Sequence, residues 1–186
     1  MDLHESSQTE WVGYHGTSMS AASSILVNNY NVSNKETEWL GHGAYFFIDG
    51  LNDPEMKAVE WAKFRSWDND ARSHKYTTYA VLQSTLSIDN HLDLDDVEDL
   101  QIFEALRERC HSRMRQEGFR GTAMENDCYL SNFAMRNLGL DALVRRECIH
   151  TRRGFFKSRI PNCRILCLKE PEKRASAHQI VKRGKV

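Results

Sequence analysis

Apolar and polar residues recur with two different periods along this chain, and the changes of period mark its elements. Val12–His15 predicts a first strand, and Ser20, Ala21, Ala22, Ile25 and Leu26 predict a helix over Met19–Asn28 with Ser18 as its cap. Asn28–Leu40 is polar and aperiodic, and reads as a loop placed to shape a cleft. Gly43–Ile48 is apolar on both faces, as a buried strand would be. Asp53-Pro54 opens a second helix, acceptor at the cap and proline at the first turn, with Val59, Trp61, Ala62 and Phe64 as its packing face. After a polar turn over Ser66–Lys75, strict alternation over Tyr76–Ile88 predicts a long strand. Leu92–Asp96 reads as a strand end and turn. Leu100, Phe103, Leu106, Cys110 and Met114 carry a helix over Val97–Glu117, and Glu125–Leu138 carries another, closed by Gly139. Leu140–Ile149 and Cys163–Leu168 read as strands joined by a basic loop, Thr151–Pro161. The charged tail, residues 171–186, and the polar residues 1–10 read as loose ends. The fold class is α+β, since strands and helices mix without regular alternation.

Composition narrows the class. The 186 residues suit a single domain, and 40% hydrophobic with 27% charged residues lie in the globular range. A net charge of -1 gives no overall attraction to nucleic acid or to anionic membrane. Charge is nevertheless uneven: His91–Asp99 is acidic and Arg145–Lys185 is largely basic. Five cysteines without a Cys-x-x-Cys pair point to a reducing compartment rather than a disulfide framework. No apolar run approaches the roughly 20 residues of a membrane span, and residues 1–10 lack a signal-peptide core, so a cytoplasmic protein with no membrane partner is expected.

The candidate chemistry lies in two short stretches around the first helix. Val12-Gly13-Tyr14-His15-Gly16-Thr17 precedes it, and Gly41-His42-Gly43-Ala44-Tyr45-Phe46-Phe47 follows. Glycines at strand edges let a ligand approach the backbone. His-Gly-Thr, a helix, then Gly-x-Gly-x-Tyr-Phe resembles the nicotinamide half of the ADP-ribosyltransferase superfamily, in its poly(ADP-ribose) polymerase and diphtheria-toxin branch. That resemblance implies a split β-sheet core with flanking helices, and NAD as co-substrate. It implies that Tyr14, His15, Gly16, Thr17 and Gly43 hold the cofactor. Tyr45 would stack on the nicotinamide, and Trp61 falls near the place of a second stacking aromatic. Polymerase-type members carry a serine three positions before that aromatic; here the position is Ala58. They also carry a glutamate at the start of a late strand, where this chain has Pro161-Asn162 before Cys163–Leu168. Asn162 is expected in the glutamate's place, with Glu147 as the candidate acid.

Several blander readings stand beside these. His15 also suits a turn, Trp61 a core position, Asn162 a turn and Glu147 a surface charge on a strand. Cys148, His150, Cys163 and Cys167 fit no usual zinc spacing, so no metal is expected. Arg152, Arg153, Phe155 and Lys157 combine charge and aromatic rings, as single-stranded nucleic-acid sites do, although a solvated loop has the same composition. The resemblance as a whole implies a small NAD-dependent mono-ADP-ribosyltransferase, similar to intracellular prokaryotic toxins and antiphage effectors. Its acceptor would be a macromolecule, RNA favoured over DNA or protein, and a neutralising antitoxin protein is a possible partner. The alternative is a non-catalytic binding module of the same fold. A third reading, transfer of an RNA 2′-phosphate to NAD, needs several pocket arginines, and here the arginines cluster late in the chain.

Overall fold

The computed structural model describes residues 9–151 and 158–186. The chain runs β1 (Thr9–Ser18), α1 (Met19–Asn28), β2 (Ala44–Ile48), α2 (Pro54–Ser66), β3 (Trp67–Asp68), β4 (Ser73–His74) and β5 (Thr78–Ile88). It continues through β6 (His91–Asp93), α3 (Val97–Gln116), α4 (Ala123–Leu138), β7 (Ala142–Glu147), β8 (Cys163–Leu168), α5 (Pro171–Arg174) and β9 (Ala175–Lys185). Helices α1 to α4 start where acceptor side chains answer their free N–H groups. Ser18 Oγ accepts from Ala21 N and Asp53 Oδ1 from Met56 N, each at 3.1 Å, and Thr122 and Glu125 form a reciprocal box at the head of α4. α4 stops at Gly139, whose φ of 63° is the left-handed terminus that glycine adopts without strain.

Seven strands form one mixed sheet in the order β6-β7-β8-β2-β1-β5-β9, giving an α+β architecture. β6 and β7 run parallel, and the remaining neighbours are antiparallel. The two edges of β1 differ greatly. Against β5 it is paired throughout, from Thr9↔Ile88 to Ser18↔Tyr79. Against β2 it is paired at Tyr14↔Phe47 alone. The sheet is therefore two blocks, β6-β7-β8-β2 and β1-β5-β9, joined at one residue pair, and β1 and β2 part beyond it.

Each face of the sheet buries its own core. Phe47 and Ile165 pack with Val59 of α2, Phe103 of α3 and Phe133 of α4 on one side. Phe46, Leu82 and Leu166 pack with Ala22 and Ile25 of α1 on the other.

Three expectations change. The tail is not loose: residues 175–185 form β9, paired with β5, and Lys182 Nζ reaches Glu55 Oε1 at 3.0 Å. Its charge is that of an exposed edge strand, where Lys and Arg discourage pairing with other chains, and this composition mimics a solvated tail. β1 begins at Thr9, before the predicted Val12, because β5 supplies partners along its whole length. The polar turn between α2 and β5 contains the small β3–β4 ladder, with Trp67 opposite His74. Among the described residues, no helix is long and apolar enough to cross a membrane.

Candidate functional site

The parting of β1 and β2 opens a cleft of about 420 Å³, within the range of small-molecule sites. Because it lies between strands, side chains from both faces of the sheet reach it. His15, Gly16, Gly43, Tyr45, Phe46 and Phe47 form its floor, Trp61 and Arg65 of α2 one wall, and the loop from Asn31 to Trp39 the other.

Gly16 is fixed by packing. A Cβ there would stand 1.9 Å from the carbonyl oxygen of Ala58, so α2 crosses β1 at a distance that no side chain allows. The atoms it would meet are all backbone atoms of Ala58, so the close crossing requires glycine at 16.

His15 Nδ1 lies 2.8 Å from the backbone oxygen of Tyr45. A carbonyl only accepts, so Nδ1 carries the proton and the neutral ring keeps a bare Nε2. Burial lowers the ring's pKa from its ordinary 6.5, against a smaller opposing effect of the Tyr45 carbonyl, which favours that neutral form. The ring is held edge-on by Tyr30 at 5.2 Å and Phe46 at 6.1 Å. His15 thus ties the two strands together where their ladder has ended, and retains one acceptor.

Tyr45 works through both its ring and its hydroxyl. The ring meets Trp39 edge-on at 6.3 Å. The hydroxyl donates to Gly41 O at 2.7 Å and accepts from Leu40 N at 2.8 Å, pinning the end of the loop. Burial raises the phenol's pKa well above its ordinary 10, so it remains a donor. Further bonds fix the loop: Ser33 and Gly43 exchange backbone bonds at 3.0 and 3.2 Å, and Asn132 Oδ1 accepts from His42 N at 2.8 Å. Trp39 lies 5.5 Å from Trp61, Trp61 stacks on Phe64 at 6.0 Å, and the Arg65 guanidinium sits 5.5 Å from the Trp61 ring centre.

His15, Gly16, Gly43, Tyr45 and Trp61 are therefore brought together. Tyr14 and Thr17 are not among the residues lining this cleft. Tyr14 sits at the strand junction, where partial burial, and then the negative charges of Asp49, Glu55 and Asp53, raise its pKa.

Asn162 and Glu147 also lie elsewhere, each with its polar atoms engaged. Asn162 Oδ1 accepts from Ile149 N at 3.0 Å and its Nδ2 donates to Ile149 O at 2.9 Å, so the side-chain amide brackets one backbone residue. Glu147 Oε2 pairs with Arg145, and its Oε1 accepts from Cys148 N at 2.9 Å. The sequence pattern placed them by position along the strands. Their hydrogen bonds assign them to the β7–β8 connection. Arg152, Arg153, Phe155 and Lys157 lie outside the described residues.

Among the cleft residues that escaped the sequence reading are Lys35, Glu38, Trp39 and Arg65. Arg65 was findable, since it follows Trp61 by four on a helix and shares its face. The other three sit in an aperiodic loop, where spacing carries no orientation.

No protein-family model matches the chain, and no curated protein matches it in sequence. The site is thus defined by its own geometry. It offers aromatic walls to a flat ring, a neutral imidazole to a hydroxyl donor, and two cations to an anionic group.

Proposed function

We propose that the chain is an NAD-dependent mono-ADP-ribosyltransferase built on an ADP-ribosyltransferase-like split sheet. The observation that carries this reading is the opening of β1 from β2 just beyond Tyr14↔Phe47, with His15 spanning it and aromatic rings beside it. NAD bound there would supply the ADP-ribosyl group, with nicotinamide as the leaving group. Trp39, Tyr45 and Trp61 give a cationic pyridinium ring the electron-rich surfaces it prefers. Gly16 offers its backbone to the carboxamide, and no hydroxyl at Ala58 assists. The bare Nε2 of His15 accepts from a ribose hydroxyl, and Lys35 and Arg65 face the pyrophosphate.

The acceptor proposed is a macromolecule, RNA before DNA or protein, on the composition of Arg152–Lys157. An intracellular toxin or antiphage effector in the cytoplasm, held in check by an antitoxin, is the setting that fits such an activity. The competing reading, a silent binding module, is favoured by one observation: Asn162, in the place of the family's glutamate, has its amide committed to Ile149.

Thermal denaturation with NAD separates the two classes. At about a hundredfold excess over its dissociation constant, a ligand adds about 2.7 kcal/mol to stability, and the expected rise in Tm is roughly 5–10 °C. NAD carrying label in its ADP-ribosyl half, incubated with a cell lysate and digested separately with protease and ribonuclease, then identifies the acceptor. Ribonuclease-sensitive, protease-resistant label marks RNA. A Tm shift without released nicotinamide marks the binding module, and neither shift nor release defeats the NAD reading.

A further inference from the structure

The carboxylate that is missing at the start of β8 has a counterpart on the loop that lines the cleft. Among the described residues lining it, Glu38 is the only acid. It sits partly buried on the loop between α1 and β2, and Ser33 Oγ donates to its Oε1. Ser33 is itself anchored, through its backbone exchange with Gly43 at 3.0 and 3.2 Å. Two residues beyond Glu38, Leu40 N donates to the Tyr45 hydroxyl at 2.8 Å. The chain is thus held on both sides of Glu38, and its side chain is held by one oxygen. Among the described residues, Oε2 takes no hydrogen bond and no ion pair. Glu147, by contrast, has both oxygens engaged outside the cleft.

We propose that Glu38 is the catalytic carboxylate of this cleft, its free oxygen gripping the ribose and facing the positive charge that develops there. The inference rests on the NAD reading above. In the reaction, the bond from ribose C1′ to the nicotinamide nitrogen breaks, and its electron pair leaves with nicotinamide, which becomes neutral. A hydroxyl group of water or of the acceptor bonds to C1′, and the proton it loses passes to the carboxylate and on to water. A fixed negative charge in a partly dry site lowers the barrier because it interacts more strongly with the transition state than with the bound substrate. Ser33 is a positioning residue, since it aims the carboxylate without touching the ribose.

Glu38→Gln is the test, because glutamine keeps an acceptor for Ser33 and puts a neutral NH2 in place of the free, charged oxygen. Nicotinamide release should fall about 100-fold. A second readout needs no turnover: the binding of an ADP conjugate whose sugar ring carries a protonated nitrogen, compared with neutral ADP-ribose. Wild type should prefer the cation, and Glu38→Gln should lose about 10- to 100-fold of that preference. Ser33→Ala, which keeps the charge and loosens its aim, should fall between the two in release. Full release and an intact cation preference in Glu38→Gln overturn the inference, as does a loss of release in Glu147→Gln that Glu38→Gln lacks. A wild-type protein that neither shifts with NAD nor releases nicotinamide defeats the underlying reading. Failure of Glu38 alone shows only in the variant.

Discussion

The gap between β1 and β2 and the junction of β7 with β8 use the same kinds of polar side chain in opposite ways. At the junction, Asn162 and Glu147 have their side-chain polar groups engaged. Asn162 donates its backbone N–H to Glu147 O at 2.9 Å, its carbonyl accepts from Asn52 Nδ2 at 2.8 Å, and its side-chain amide accepts from and donates to the backbone of Ile149. At the gap, half-used groups remain. His15 spends one ring nitrogen on Tyr45 and Glu38 spends one oxygen on Ser33. A buried polar group without a partner costs free energy, so groups left half-used in a cleft are the ones available to a ligand. The comparison teaches that residue type and strand position nominate a site, while the count of remaining donors and acceptors decides it.

The largest effect is expected at His15. His15→Ala should lower nicotinamide release about 100- to 1000-fold, comparable to removing one preorganised polar group from an active site. The stability cost should be about 1–3 kcal/mol, since the ring's packing on Tyr30 and Phe46 is lost along with the bond to Tyr45. Acidity offers the same test without mutation. Since burial lowers the His15 pKa below 6.5, release should persist somewhat below that pH, then fall as Nε2 gains a proton and ceases to accept. Linkage gives the sign for stability: the unfolded ring binds protons first, so the His15 contribution is complete above about pH 6.5 and is lost as pH falls towards the folded value. His15→Gln should remove that portion of the acid slope in Tm. A wild-type profile in which release is lost above pH 6.5 would contradict the assignment.

Asn162→Ala should show the reverse pattern. The N–H and C=O of Ile149 would both lose their side-chain partner, and chemical denaturation should show a loss of roughly 2–4 kcal/mol. Nicotinamide release per folded molecule should not change. If activity fell while stability held, Asn162 would belong to the site, and the contrast between the two regions would collapse.

The fold was legible where side-chain period and backbone chemistry agree. The caps at Ser18 and Asp53, the αL stop at Gly139, the alternation of β5 and the apolar run of β8 each state their own local structure. β9 was not legible, because an edge strand exposes most of its side chains, and its partner, β5, lies some ninety residues earlier. The same distinction divides the site. Gly16, Tyr45 and His15 flank an element whose geometry the sequence announces. Glu38 and Trp39 are oriented by bonds to Ser33, Gly43 and Tyr45 that no spacing encodes. The resemblance itself pointed to the late strand β8 for the acid, and the chain places none at its start.

The smallest effect is expected at Glu147, and it sharpens the comparison most. Its carboxylate is partly buried, pairs with Arg145 and accepts from Cys148 N, an arrangement typical of ion pairs worth at most about 1 kcal/mol. Glutamine can still accept from Arg145 or from the backbone, so Glu147→Gln should lower stability by about 0.5–1 kcal/mol and leave nicotinamide release intact. A carboxylate serving the ribose would behave differently: its amide would fold normally and lose turnover, as Glu38→Gln is expected to do. Measured side by side under one buffer, the two charge-neutral variants ask the same chemical question of the cleft loop and of the β7–β8 junction. Turnover lost only at Glu38 places the negative charge on the loop; turnover lost only at Glu147 returns it to the β7–β8 junction, and the half-used oxygen of Glu38 then needs another explanation.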